Sequence, residues 1–216
     1  MFRNRTEAGQ KLALKLQAYS GQPDVVVLAL PRGGVPVGCE VAKALRAPID
    51  VFVVRKLGVP WNPELAMGAV ATGGVRILEE ETVRSLAIPS EEIARIAAQE
   101  ERELERRERS YRGVNAPLPV AGKRVILVDD GIATGSTMRA GVVALRRLQP
   151  ARVVIAVPVA PRATCMMLRK VADEVVCVIE AEDFFAIGEW YEDFSQLSDD
   201  EVRSLLGSSS GLISAA

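Results

Sequence analysis

Five short, nearly unbroken apolar runs set the strongest limit on how this chain can fold: Val25–Leu30, Ile49–Val54, Arg124–Val128, Val153–Val157 and Val175–Ile179. They are rich in β-branched residues and lack the polar–apolar alternation of a half-exposed strand. Each therefore reads as a strand covered on both faces. Between them, helical patterns are predicted at about 35–46, 136–148 and 161–172. Strand and helix in turn predict an α/β fold, an open, mostly parallel twisted sheet flanked by helices. Ligands of such sheets sit at the carboxyl ends of the strands.

Two stretches break the alternation. Residues 66–78 read as a hairpin turning on Thr72-Gly73-Gly74. A charged helix follows, with Ser90 as its N-cap, Glu91 and Glu92 in its first turn, and its end near Arg112. Glu91–Arg95, Glu103–Arg107, Glu105–Arg109 and Glu108–Arg112 fall at i,i+4, each pair adding about 0.2–0.5 kcal/mol. This helix suits a solvated face, a lid over a site or an oligomer surface. Ser198-Asp199-Asp200-Glu201 forms a capping box opening a short helix, and Gly207 starts a serine-rich flexible tail. The expected layout is one domain over 1–206, with an insertion at 66–112, a hood at 180–206 and a tail at 207–216.

Composition removes several functions. The 27 basic and 28 acidic side chains nearly cancel, so no global field attracts nucleic acid or an anionic membrane. Aromatic residues are 5% of the chain, too few to interleave with a basic stacking surface. Histidine is absent. That excludes the commonest general base, Ser–His and Cys–His nucleophiles, and imidazole metal sites. A metal would need oxygen ligands, which favours magnesium. Cys39, Cys165 and Cys177 form no CxxC pair and are expected as buried thiols in a reducing compartment. With no leader and no membrane-length apolar run in the sequence, the expected location is cytoplasmic.

Chemistry concentrates at Val125–Thr137, which reads VILVDDGIATGST. An apolar strand delivers Asp129 and Asp130 to its carboxyl end. A turn of small residues follows, Ala133-Thr134-Gly135-Ser136-Thr137, and a helix begins near Ser136. Inward-pointing amides and a helix N-terminus suit a phosphate monoester. No Gly-Lys-Ser/Thr follows, so this is not a nucleoside-triphosphate loop. Adjacent carboxylates accept strong hydrogen bonds from vicinal hydroxyls. Beside a phosphate, they suit the ribose of a 5-phosphoribosyl group. Their charge also favours the cation formed as a bond to C1 breaks. A strand ending in an acidic turn before a capped helix is the plain alternative.

The segment resembles the signature of type I phosphoribosyltransferases for 5-phosphoribosyl-1-pyrophosphate (PRPP). It departs from that signature at Gly131, where the family carries an aliphatic residue; this is expected to loosen the turn. Pro31-Arg32-Gly33-Gly34 stands where the family's pyrophosphate loop lies, a loop that often holds a non-proline cis peptide. Glycines there let backbone approach an anion. Arg55 and Lys56 end the second strand, where the family places a basic residue on pyrophosphate. Asp183–Phe194 fits the outline of the 6-oxopurine enzymes' hood. On that resemblance Phe185 stacks on the base and Glu192 meets the metal, although a core role for these aromatics stays open. Val159 and Ala160 stand about where those enzymes carry a purine-reading lysine, and Ser110-Tyr111 is similar to their flexible-loop pair.

The resemblance implies a Mg²⁺-dependent transferase, with Mg²⁺ held mainly by PRPP and by Asp129, Asp130 and Glu192. Asp129, Asp130 and Lys56 would carry the catalytic roles, and Arg32, Gly33, Gly34, Arg55, Ala133–Thr137 and Phe185 would bind substrate. The expected partners are PRPP and a small-molecule base, with no nucleic acid or membrane, and the expected assembly is a homodimer. A PRPP-sensing regulator without turnover, or a hydrolase of phosphoribosyl compounds, would use the same motifs.

Overall fold

A computed structural model describes residues 1–113 and 115–210. Helix α1 (Arg5–Lys15) precedes β1 (Val25–Ala29), α2 (Gly34–Leu45) and β2 (Ile49–Val51). Strands β3 (Val54–Val59), β4 (Asn62–Ala71) and β5 (Val75–Leu78) follow, then α3 (Glu80–Ser85) and α4 (Ser90–Arg112). The chain continues through β6 (Arg124–Val128), α5 (Ser136–Arg147), β7 (Arg152–Pro161), α6 (Arg162–Leu168), β8 (Glu174–Ala181) and α7 (Asp199–Ser210).

Five strands pair in parallel in the order β2-β1-β6-β7-β8. The continuous apolar runs arise because both sheet faces are covered. Val25, Val27 and Ala29 of β1, Ile126 and Val128 of β6, and Val154 and Ala156 of β7 face one core with α1, α2, α4 and α7. Their neighbours Val26, Leu28, Val125, Leu127, Val153 and Ile155 face a second core with α5 and α6. A period of two sends alternate residues to opposite faces, so each strand must be apolar throughout.

The second run does not form a single strand. β2 stops at Val51, and Val54 opens a separate antiparallel sheet, β3-β4-β5. The backbone crosses between sheets in two bonds. Phe52 N donates to Ala29 O at 2.9 Å, and Val53 N donates to the Thr72 hydroxyl at 2.9 Å. The 66–78 hairpin is present, and Gly73 and Gly74 turn it with φ of 86° and 71°. Helix α4 begins with Pro89, not Ser90, in the capping position. The Ser198–Glu201 capping box is formed, with Glu201 N on Ser198 Oγ at 3.2 Å and Ser198 N on Glu201 Oε2 at 2.7 Å. Helix α7 runs on through Ser210, so 207–210, expected as the start of a flexible tail, are helical; residues 211–216 lie outside the described residues. Among the described residues no helix is long and apolar enough to cross a membrane.

Candidate active site

β1 and β6 are neighbours in register, Ala29 beside Val128. The loop leaving β1 therefore meets the loop leaving β6. Leu30 N donates to Val128 O at 2.9 Å, and the chain turns through Pro31-Arg32-Gly33-Gly34 with the Pro31–Arg32 peptide cis. Both glycines are needed for closeness. A β-carbon on Gly34 would stand 2.7 Å from Val128 O and 3.0 Å from Asp129 Cα, and one on Gly33 would collide with the Asp130 carboxylate.

Asp130 is 7% exposed. Its Oδ2 accepts from Arg5 Nε at 2.7 Å, and its backbone carbonyl accepts from the Tyr191 hydroxyl at 2.5 Å. Asp129 Oδ1 accepts from Asp130 N at 2.9 Å. Burial, then the neighbouring charge of Asp130, pushes the Asp129 carboxyl well above the usual range. Burial also raises Asp130, and Arg5 opposes that rise. Two carboxylates side by side in a low-dielectric site behave this way.

The turn after the acids opens at Ile132, whose N–H donates to Val159 O at 3.0 Å. Ala133 O accepts from the buried Thr164 hydroxyl at 2.9 Å. Gly135 has φ 80°, and Ser136 then starts α5. Ala133, Thr134, Ser136 and Thr137 line this turn, with the hydroxyls of Thr134 and Ser136 3.1 Å apart and exposed. The first amides of a helix have no partner within it, so this turn presents donors and hydroxyls beside the acid pair.

Comparison with known proteins shows the family of the chain. The family model of the phosphoribosyl transferase domain matches residues 3–194. This chain belongs to the phosphoribosyl transferase family. A Mycobacterium tuberculosis (H37Rv) protein, carried by name alone as a phosphoribosyl transferase, is 45% identical over 206 residues. They are 95% of this chain and 46% of that protein, so the chain spans about half the length of the curated relatives it matches. The crystal structure of TT1426 from Thermus thermophilus superimposes with TM-score 0.85 at 41% identity, covering 95% of this chain and 97% of that one. A purine phosphoribosyltransferase of Pyrococcus horikoshii, at 18% identity and TM-score 0.44, covering 84% of this chain and 93% of that one, is too distant to speak for the acceptor.

Other residues of this family member stand less simply. Gly131 is not a loosened turn. A β-carbon there would lie 2.6 Å from Ile187 Cγ2, so glycine makes room for the hood segment descending onto the acids. Arg55 and Lys56 lie on β3, outside the parallel sheet. Arg55 Nη2 is 2.5 Å from Glu100 Oε2, and Lys56 Nζ is 3.3 Å from Glu64 Oε2. Arg32 Nη1 donates to Leu197 O at 2.7 Å.

In the hood, Phe185 is 86% exposed, while Phe184 stacks on Trp190 with centroids 6.3 Å apart. Glu192 is exposed and does not join the acid pair in a metal cage. Among the described residues no three His, Cys, Asp or Glu side chains converge on a cation position. Asp129 and Asp130 are joined to each other by the Asp130 N–Asp129 Oδ1 bond. Ser110-Tyr111 is not a loop. Tyr111 is buried in α4 and donates to Asp199 Oδ1 at 3.0 Å. Three contributors were missed in the sequence: Arg5, Thr164 and the Tyr191 hydroxyl. Arg5 and Thr164 lie outside the signature, and Tyr191 is one of several hood aromatics with nothing to single it out.

Proposed function

We propose that this chain is a PRPP-dependent phosphoribosyltransferase that moves the 5-phosphoribosyl group to a nitrogen base, a nucleobase in the first instance, with release of pyrophosphate. One observation carries the reading. Gly33 and Gly34 lie directly against Asp130 and Asp129, so a loop suited to diphosphate and a carboxylate pair suited to a ribose share one site. The turn Ala133–Thr137 would hold the 5-phosphate, and Arg32, Gly33 and Gly34 the diphosphate. The base nitrogen attacks C1 while the C1–O bond breaks and its electrons leave with pyrophosphate. The acid pair stabilises the cationic ribose, and positioning supplies the rest. No covalent intermediate on the chain is needed. Exposed Phe185 is available to stack on the base. Asp129 and Asp130 would hold Mg²⁺ carried by PRPP, and the ion would supply charge neutralisation to the diphosphate.

The test is pyrophosphate release from PRPP and Mg²⁺ with a panel of bases. Release with one base and not without it supports transfer; none above background ends the enzyme reading. A PRPP sensor without turnover is the second reading. It is favoured by Arg55 and Lys56, which are engaged by Glu100 and Glu64. Calorimetric PRPP binding without turnover selects it.

A further inference from the structure

We infer that Arg5, in the first turn of α1, is a positioning residue of the ribose site, fixing the Asp130 carboxylate and tying the hood to it. The inference rests on the PRPP reading above. Arg5 is 125 positions from Asp130 in the chain, yet its Nε meets Asp130 Oδ2 at 2.7 Å, with the two side chains 12% and 10% exposed. The same guanidinium donates through Nη1 to Ser195 O at 2.9 Å and lies 4.0 Å from the centroid of the Phe194 ring.

Nothing about this placement is loose. Asn4 caps α1 by accepting from Glu7 N at 3.0 Å, which fixes where the first turn begins. The preceding residues are stitched to the hood by three backbone bonds: Phe2 N to Trp190 O at 2.7 Å, Glu192 N to Phe2 O at 2.8 Å and Asp193 N to Arg3 O at 2.9 Å. On the other side, the carboxylate lies against Gly33, in space that a β-carbon there would fill. A buried carboxylate needs a partner, and this guanidinium is the cation that meets it. Asp130 is thus held in one orientation before any ligand arrives. A diol that binds Asp130 meets a preset acceptor whose position also sets where Phe194 and Ser195 stand.

The experiment is calorimetric titration of the full chain with PRPP and Mg²⁺, well below each variant's melting midpoint. Arg5→Ala is expected to weaken binding about tenfold or more. Arg5→Lys should recover part of it, and Arg3→Ala, whose side chain is 72% exposed, should match the wild type. If Arg5→Ala does not fold, Arg5→Gln takes its place, with the same expectation. A purely structural Arg5 would lower the melting midpoint and leave the PRPP Kd unchanged, which overturns the inference. Absence of PRPP binding by the wild type is a different result: it removes the PRPP reading itself, and this inference with it.

Discussion

A β-carbon built on Gly33 lies 2.0 Å from Asp130 Oδ2 and 2.5 Å from its Cγ. The backbone is not the obstacle, since Gly33 has φ −60° and ψ −35°, which alanine adopts freely. Space alone objects, and Asp130 cannot retreat while Arg5 holds it. Gly33→Ala is therefore expected to lose about 1–3 kcal/mol of stability from overpacking and about tenfold or more in PRPP affinity; urea unfolding and calorimetry measure the two. Asp129 supplies a contrasting case. Its carboxyl is pushed upward by burial and by Asp130, so Asp129→Asn should raise the ligand-free melting midpoint by about 2–4 °C while abolishing PRPP binding. A lowered midpoint in a differential scanning run would contradict the repulsion. At this scale the sequence is legible where a motif is contiguous. Asp129, Asp130 and the turn could be read from one stretch. Arg5 could not, because an arginine near a chain end carries no local sign of which carboxylate it meets 125 positions away.

Helix α4 shows how an insertion is tied down. Its buried residues Ile93, Ala97, Leu104 and Tyr111 fall on one face and enter the same core as β1 and α2, so the helix is docked along its length and is not a free lid. Its last turn is locked by Arg112. Nε meets both oxygens of Asp50 at 2.8 Å, and Nη2 donates to Val51 O at 2.7 Å. Removing one partner leaves the other charge buried, so Arg112→Ala should cost about 3–5 kcal/mol, and Arg112→Met with Asp50→Asn should recover much of it. Denaturant midpoints of the single and double variants decide this. The same residues explain what the sequence hid. Asp50 sits inside an apolar run that looks continuous to Val54, and its partner is 62 positions away. The break between β2 and β3 depends on Thr72 receiving Val53, a tertiary contact. Helix α1 went unread because only Ala8, Gly9, Leu12 and Ala13 are buried, while Leu14 breaks the apolar pattern by standing exposed.

Over the whole molecule, the N-terminal segment and the 184–194 stretch pack together beside the acid pair. Phe2, Ala8, Val159 and Tyr191 form a third core, with Phe184, Ile187, Trp190 and Phe194 packed around it. Phe2 is 1% exposed, its ring centroid 5.4 Å from that of Tyr191. Phe2 holds neither carboxylate itself. Its ring partner Tyr191 holds the Asp130 carbonyl, and Arg5, in the same N-terminal segment, holds the Asp130 carboxylate. Phe2→Ala should therefore act in two ways. Loss of a buried ring costs about 3–5 kcal/mol, and the hood loses its seat, so proteolysis within 184–195 should quicken and PRPP affinity should fall. Leu14→Ala, on α1 but 72% exposed, should change stability by less than about 0.5 kcal/mol and leave both readouts alone. A Phe2→Ala protein that melts early but keeps wild-type PRPP affinity and an intact hood would show that this third core supports the fold without shaping the site.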